Sequence, residues 1–416
     1  MTNDPETTYI VACLESKLFP ERPRPNPSTG LEWDRFFDLL VKNRLTGLFY
    51  VLSRAQRSVC PDFILDRLRL EHYAWMLYGD RCAEKVKVAL SALHTAGIQV
   101  IVLKGWAWIQ TLYGGDYSQR YCEDIDLLIR PADIDAVERI LLNLGFLGAD
   151  ETWEGYTRRF MNCRAFLIPL QLQDSRMFSV GLHWGLIHTP SYDPRQIDIP
   201  SLFERTHSIR VAGVDVLELS VEDQITYACL HLGLHHEYDP SLFRYYELAA
   251  VILQEKSALD WDAVLKTAVE WKCVIPAQRV LQYTDTLWQN VVPSVVIAKA
   301  NKIKPANRER FIATWQKLFG DKVSFSVLLN WLTLPGFWNR IKMAFQDVIP
   351  SPAYMRRRYG QAKSEPVLTL YFRRFFRSFH FIFHRYSLRK LSKKKSSTIV
   401  AGEIIAKPLQ EENKVT

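Results

Sequence analysis

The chain has 416 residues, 48% of them apolar and 12% aromatic, enough to fill the cores of two or three domains and too much for a disordered protein. Its formal charge of +8 is a local property, because residues 355–396 hold 13 Lys/Arg against Glu365 alone and the remainder has 40 bases against 44 acids. That slightly acidic body excludes general nucleic-acid binding over the whole surface, although the sequence pI is about 9.0.

Seven cysteines stand singly, with no Cys-x-x-Cys pair and an odd total, as reduced thiols do, rather than as a disulfide frame or zinc site. The N-terminus carries Asp4 and Glu6 and lacks a basic region followed by an apolar one, so no signal peptide is expected. No apolar run reaches the roughly 18 residues that span a bilayer. The expected location is the cytoplasm.

Residues 1–30, with Pro20, Pro23, Pro25 and Pro27, read as an extended lead-in. Residues 31–96 read as a helical region: Trp33, Phe36, Phe37, Leu40 and Leu48 keep helical spacing, and Phe63, Leu65, Leu68 and Leu77 repeat it. Tyr73, Trp75, Tyr78, Arg69 and Arg81 fit a packing helix better than a nucleic-acid surface. After Gly97 the period changes. Residues 98–103 read as a buried strand, 104–113 as a short helix, 123–130 as a second strand, and the segment from Pro131 to Gly145 as a helix with proline at its first position and Val137, Leu141 and Leu144 at core spacing. Residues 158–170 and 179–187 are rich in strand formers, and 208–219 reads as a hairpin turning at Gly213. Residues 220–340 are helical again, 341–396 form a basic tail, and 397–416 carry no folding signal.

Within the strand at 123–130, Asp124 and Asp126 alternate with Ile125 and Leu127, so both carboxylates share one face while the apolar residues point into a core. Two like charges on one face raise each other's pKa unless a cation lies between them. A divalent metal with a preference for hard oxygen ligands, Mg²⁺ or Mn²⁺, meets that need.

The run Val102-Leu103-Lys104-Gly105, then Leu112-Tyr113, Arg120 and Asp124-Ile125-Asp126-Leu127-Leu128-Ile129-Arg130-Pro131, resembles the uncharacterised nucleotidyltransferase family of the DNA polymerase beta superfamily. Gly181-Leu182-His183-Trp184, Val221-Glu222-Asp223-Gln224, His231, His235 and residues 242–248 extend the likeness, over roughly residues 31–300 in all. The resemblance implies an α+β fold in which a small mixed sheet, residues 97–219, is flanked by helical regions. It implies transfer of a nucleoside monophosphate from a nucleoside triphosphate to a hydroxyl-bearing acceptor, with Asp124 and Asp126 as metal-binding and catalytic acids. Lys104, Gly105, Arg120 and His183 would face the nucleotide. The superfamily more often has Gly-Gly or Gly-Ser where this chain has Lys104-Gly105. Relatives also often carry an acid at the position of Gly181, which leaves Asp174, Glu123 or His183 as a third donor, or a site of two acids that binds a nucleotide without transferring it.

Several residues keep a plain structural alternative. Arg120 could pair with Glu123, and Arg244 could pair with Glu247 three residues on. His231 and His235, four apart, share one helix face at a spacing that suits a metal, but the sequence shows no third ligand beside them. In the tail, a helix over 368–386 would put Leu368, Tyr371, Phe372, Phe375, Phe376, Phe379 and Phe383 on one side and Arg373, Arg374, Arg377 and Arg385 on the other, with Leu370 and Phe381 breaking the separation. Residues 355–396 could therefore lie on the anionic inner face of a membrane or pack on protein. Stacking on RNA fits less well, because the acidic body offers no continuing basic track.

Overall fold

The computed structural model describes residues 4–375 apart from 24, 56–58, 148–169, 173–174, 187–191, 193–195, 237, 320–327, 330–331, 335, 350–351, 353–354 and 357–365. Residues Met1–Val348 form one compact unit and Ile349–Thr416 a second.

The first unit corrects the extended lead-in, since α1 runs from Pro5 to Leu18. Asp4 accepts a hydrogen bond from the Thr7 amide as N-cap and Pro5 occupies the first turn, where its missing N–H costs nothing. The prolines that suggested extension begin only after this helix, whose Ile10 and Leu14 are fully buried. Next come α2 (Trp33–Lys42) and α3 (Thr46–Ala55), separated at Arg44, which has φ +56°. Helix α4 runs unbroken from Asp62 to Thr95. Its buried face is Ile64, Leu68, Cys82, Val86, Leu90 and Leu93, whereas Phe63 and Leu77 of the expected stripe are exposed.

Seven strands follow: β1 (Ile101–Leu103), β2 (Asp124–Leu128), β3 (Phe146–Leu147), β4 (Leu170–Leu172), β5 (Ser175–His183), β6 (His207–Val211) and β7 (Val214–Glu218). They form one mixed sheet in the order β3-β4-β5-β2-β1-β7-β6. The β2–β5 and β1–β7 pairs are parallel and the others antiparallel, with β6 and β7 joined by the expected hairpin at Gly213. Between the strands lie α5 (Gly105–Tyr113), α6 (Ile134–Asn143) and α7 (Ile199–Glu204). Most of the strand expected over 158–170 lies outside the described residues. Helices α8 (Val221–Leu230), α9 (Leu242–Gln254), α10 (Trp261–Glu270), α11 (Val274–Leu287), α12 (Ser294–Lys302), α13 (Asn307–Phe319) and α14 (Phe337–Val348) complete the unit. The class is α+β, a small mixed sheet flanked by helices.

The alternation of β2 decides how the layers assemble. Val102, Ile125, Leu127, Val180 and Leu182 face one way, onto Val86, Leu90 and Leu93 of α4 and Trp106 of α5. Ile101, Leu103 and Leu128 face the other way and join a larger cluster that unites α1–α3 with α8–α11. Asp124 and Asp126 share the face of Leu128, so the sheet presents its carboxylates to the helical side, where α1, α2 and α9 leave room for a cavity.

In the second unit, residues 367–375 are helical. Leu368, Phe372 and Phe375 are exposed there, while Leu370, which breaks the expected stripe, is buried. The remainder of the expected 368–386 helix lies outside the described residues. No described helix is long and apolar enough to cross a membrane, and Cys13, Cys60, Cys82, Cys122, Cys229 and Cys273 are free thiols.

Candidate active site

A cavity of about 960 Å³ opens over the carboxylate face of the sheet, in the upper range for a small-molecule site. The sheet and its adjoining loops contribute Leu103, Lys104, Gly105, Arg120, Glu123, Asp124, Asp126, Gly181 and His183 to its lining, and the helical elements contribute Thr7, Asn43, Arg44, His231, His235, His236, Phe243 and Glu247. All six residues expected at the nucleotide and metal site are therefore brought to one cavity.

Strand pairing puts them there. Antiparallel β1 sets Leu103 opposite Asp126, so the chain leaves the sheet beside the acids and turns at Lys104-Gly105 into α5. The turn is tight: Lys104 has φ +37° and Gly105 φ +24°. For lysine that backbone is costly, about 1–3 kcal/mol, and such strain persists where the surroundings impose it. At Gly105 a Cβ would stand 3.3 Å from Cys122 Sγ and 3.6 Å from Arg120 Nη1, so glycine lets the arginine lie against the turn. The indole of Trp106 anchors the helix start by donating to Asp124 O at 3.0 Å. Lys104 Nζ sits 5.0 Å from the centre of the Tyr227 ring. Burial pushes the Lys104 ammonium down to about 8, against the pull of Asp126 and Asp124.

Parallel β5 brings Gly181 opposite Asp126 and His183 opposite Leu128. From there His183 Nε2 reaches back to Asp126 Oδ1 at 2.9 Å. Gly181 is the space that makes this possible, because a Cβ there would overlap Asp126 Oδ1 and stand 3.1 Å from His183 Nε2. An acid at 181 would have to displace Asp126 first. Glu123 is engaged by the Tyr121 hydroxyl and by Arg44 at 3.5 Å, and Asp174 lies outside the described residues. The Asp124 carboxyl is raised above its ordinary value by the surrounding protein and then by Asp126, with Lys104, Arg120 and His183 pulling it down. A hard divalent cation between the two carboxylates would relieve their mutual repulsion.

Two pairings differ from the local ones weighed in the sequence. Arg120 pairs with Glu247, not Glu123, its Nε donating to Oε1 at 2.6 Å and its Nη2 to Oε2 at 3.2 Å. Arg244 pairs with Asp239 at 2.8 Å instead of Glu247. The reason is burial: Glu247 is inside the protein, where burial raises its pKa, and the bidentate Arg120 guanidinium is the largest influence offsetting that cost, with the Tyr113 hydroxyl and Lys104 adding to it. The Arg120–Glu247 contact links residues 127 apart, which no local spacing rule can find.

The profile of the family described as uncharacterised nucleotidyltransferase matches residues 29–289. The chain belongs to that family. The match covers well over half of the chain and spans the sheet with its acids and the helical elements that line the cavity, apart from α1. No curated protein matched the chain. General nucleotidyl-transfer chemistry follows from family membership.

Sequence reasoning missed two residues. Tyr227 is buried beside Lys104, and its hydroxyl makes no hydrogen bond among the described residues; in sequence it was one of many apolar positions on α8. His236 joins His231 and His235, with the ring nitrogens of all three within 4.8 Å of one another.

Proposed function

We propose that this protein binds a nucleoside triphosphate with Mg²⁺ or Mn²⁺ in the cavity and transfers its nucleoside monophosphate to the hydroxyl of an acceptor. The observation that carries this reading is the convergence of two acids from one strand face, Asp124 and Asp126, with the Lys104-Gly105 turn on a single cavity wall. The reaction forms a bond between the acceptor oxygen and the α-phosphorus, breaks the bond to the bridging oxygen, and releases pyrophosphate. The metal, held by Asp124 and Asp126, would supply Lewis-acid charge stabilisation at the phosphate. Lys104 places a point charge beside the departing phosphates, and the glycine that follows lets them approach the backbone. Arg120, held by Glu247 through Nε and Nη2 and by Tyr121 O and Cys122 Sγ through Nη1, supplies a fixed positive charge beside the cavity before any ligand arrives. His183 orients Asp126 through its 2.9 Å contact. The hydroxyl proton can pass to one of the carboxylates or to water. The helical wall, including α1, chooses the acceptor.

The experiment is transfer of label from an α-³²P-labelled nucleoside triphosphate to cell-extract components by the full-length protein with Mg²⁺. Labelling should require the protein and disappear in Asp124→Ala with Asp126→Ala; equal labelling by that variant overturns the proposal. Gly181 motivates a second reading, a nucleotide-binding protein that does not transfer, because it puts no carboxylate at the position where relatives often carry an acid. Binding of metal and nucleotide by the purified protein with no labelled product in any extract would favour that reading, and absence of binding would defeat both.

A further inference from the structure

In the helical part of the cavity lining, the helix that begins as α8 widens. Residues His231–His235 form a π-turn closed by the His236 amide donating to His231 O at 3.1 Å. In an α-helix, residues i and i+4 share a face, and residue i+5 points about 140° away from residue i. The π-turn spreads fewer degrees over each residue and swings His236 back towards the other two, as π-turns at functional sites do. The three imidazole centres are 4.9 Å (His231–His235), 4.5 Å (His231–His236) and 5.0 Å (His235–His236) apart.

We infer that His231, His235 and His236 form a binding site for a borderline divalent transition metal of the Zn²⁺ class, distinct from the hard-cation site at Asp124 and Asp126, with its open coordination position facing the cavity. Three observations converge on it. The donor set is three imidazoles, which select zinc, cobalt, nickel or copper over magnesium. Their nitrogens already lie within 4.8 Å of one another, and bonds of about 2.0–2.1 Å put the ligands of one tetrahedral ion about 3.4 Å apart, so modest ring rotations close the set. All three line the cavity, which gives an ion a path in and leaves its fourth position open to a ligand. Positive charge nearby is partly cancelled, since Arg244 is paired with Asp239. The inference does not rest on nucleotidyl transfer. A metal here would add a second charged group to the wall that faces the acceptor.

The test uses full-length protein stripped of metal and held in excess Mg²⁺, so that the carboxylates are already saturated with a hard cation. Titration with Co²⁺ should give the visible absorption of a low-coordinate nitrogen site, and Zn²⁺ should displace it at one equivalent. His235→Ala, at an exposed position, and His236→Gln should each weaken Zn²⁺ binding by more than about 100-fold, beyond the 10–100-fold cost of losing a residue that merely orients a ligand. Asp124→Asn with Asp126→Asn should leave it within a few-fold. Unchanged Zn²⁺ affinity in folded His235→Ala and His236→Gln overturns the inference, as does absence of Zn²⁺ binding by the wild-type chain. Zn²⁺ binding lost only in the aspartate variant also overturns it, while leaving the nucleotidyltransferase reading in place.

Discussion

Glu247→Ala is predicted to destabilise the protein severely while leaving the acid pair untouched. Glu247 and Arg120 expose only 2% and 11% of their side chains, and the carboxylate takes two N–H groups of the guanidinium, at 2.6 and 3.2 Å. Removing the acid leaves a buried cation without its partner, a loss of about 3–5 kcal/mol. Against a total of roughly 5–15 kcal/mol this is a large share. At about 2.1 cal/mol/K of unfolding entropy per residue, cooperative melting of the 348-residue first unit would lower Tm by roughly 4–7 °C. Differential scanning calorimetry of the purified variant measures this directly. Replacing both partners, Arg120→Met with Glu247→Leu, should recover most of the loss, because an apolar pair of similar size carries no desolvation penalty. The double variant should nonetheless bind nucleoside triphosphate more weakly than wild type, since Arg120 no longer faces the phosphates. A Tm within 1 °C of wild type for Glu247→Ala would refute the idea that this pair fixes the arginine. Full nucleotide affinity in the double variant would refute the phosphate role.

Lys104→Gly separates strain from charge: glycine relaxes the φ of +37°, so Tm should hold or rise, whereas calorimetric nucleotide affinity should fall about 10- to 100-fold with the loss of one charge-assisted contact. Gly181→Asp should not improve label transfer, because its Cβ overlaps Asp126 Oδ1 and breaks the contact with His183; a gain in rate would show that the site is short of an acid rather than short of space. In the tail, Leu368→Asp with Phe372→Asp and Phe375→Asp should abolish flotation of the full-length chain with anionic liposomes, and unchanged flotation would remove the membrane surface as its partner.

The sequence made the acid pair and the Lys-Gly turn legible because both are local patterns: a two-residue alternation, and a glycine directly after an apolar strand. The strand, helix, strand, helix order from Ile101 to Asn143 was visible for the same reason. Helix α1 was obscured by four prolines that lie beyond its end, although Asp4 and Pro5 are an N-cap and a first-turn proline. The partners of Arg120 and Glu247 could not be read, because burial decides them and neither is near the other in the chain. His236 was hidden more subtly. A helical wheel turned at 100° per residue places it off the face of His231 and His235, and only the π-turn restores it. The Gly181 position was read as a missing acid; its structural role, as room for the Asp126–His183 contact, needed the β2–β5 register.

The central claim is that Asp124 and Asp126 hold the metal on which a nucleotide docks. A crystal structure of the full-length protein with Mn²⁺ and a non-hydrolysable nucleoside triphosphate tests it most directly, because manganese reveals itself by anomalous scattering. The account predicts a manganese peak about 2.0–2.3 Å from carboxylate oxygens of both Asp124 and Asp126, with the phosphates against Lys104-Gly105. A nucleotide bound away from those residues, or manganese absent from both carboxylates while nucleotide is present, would contradict it.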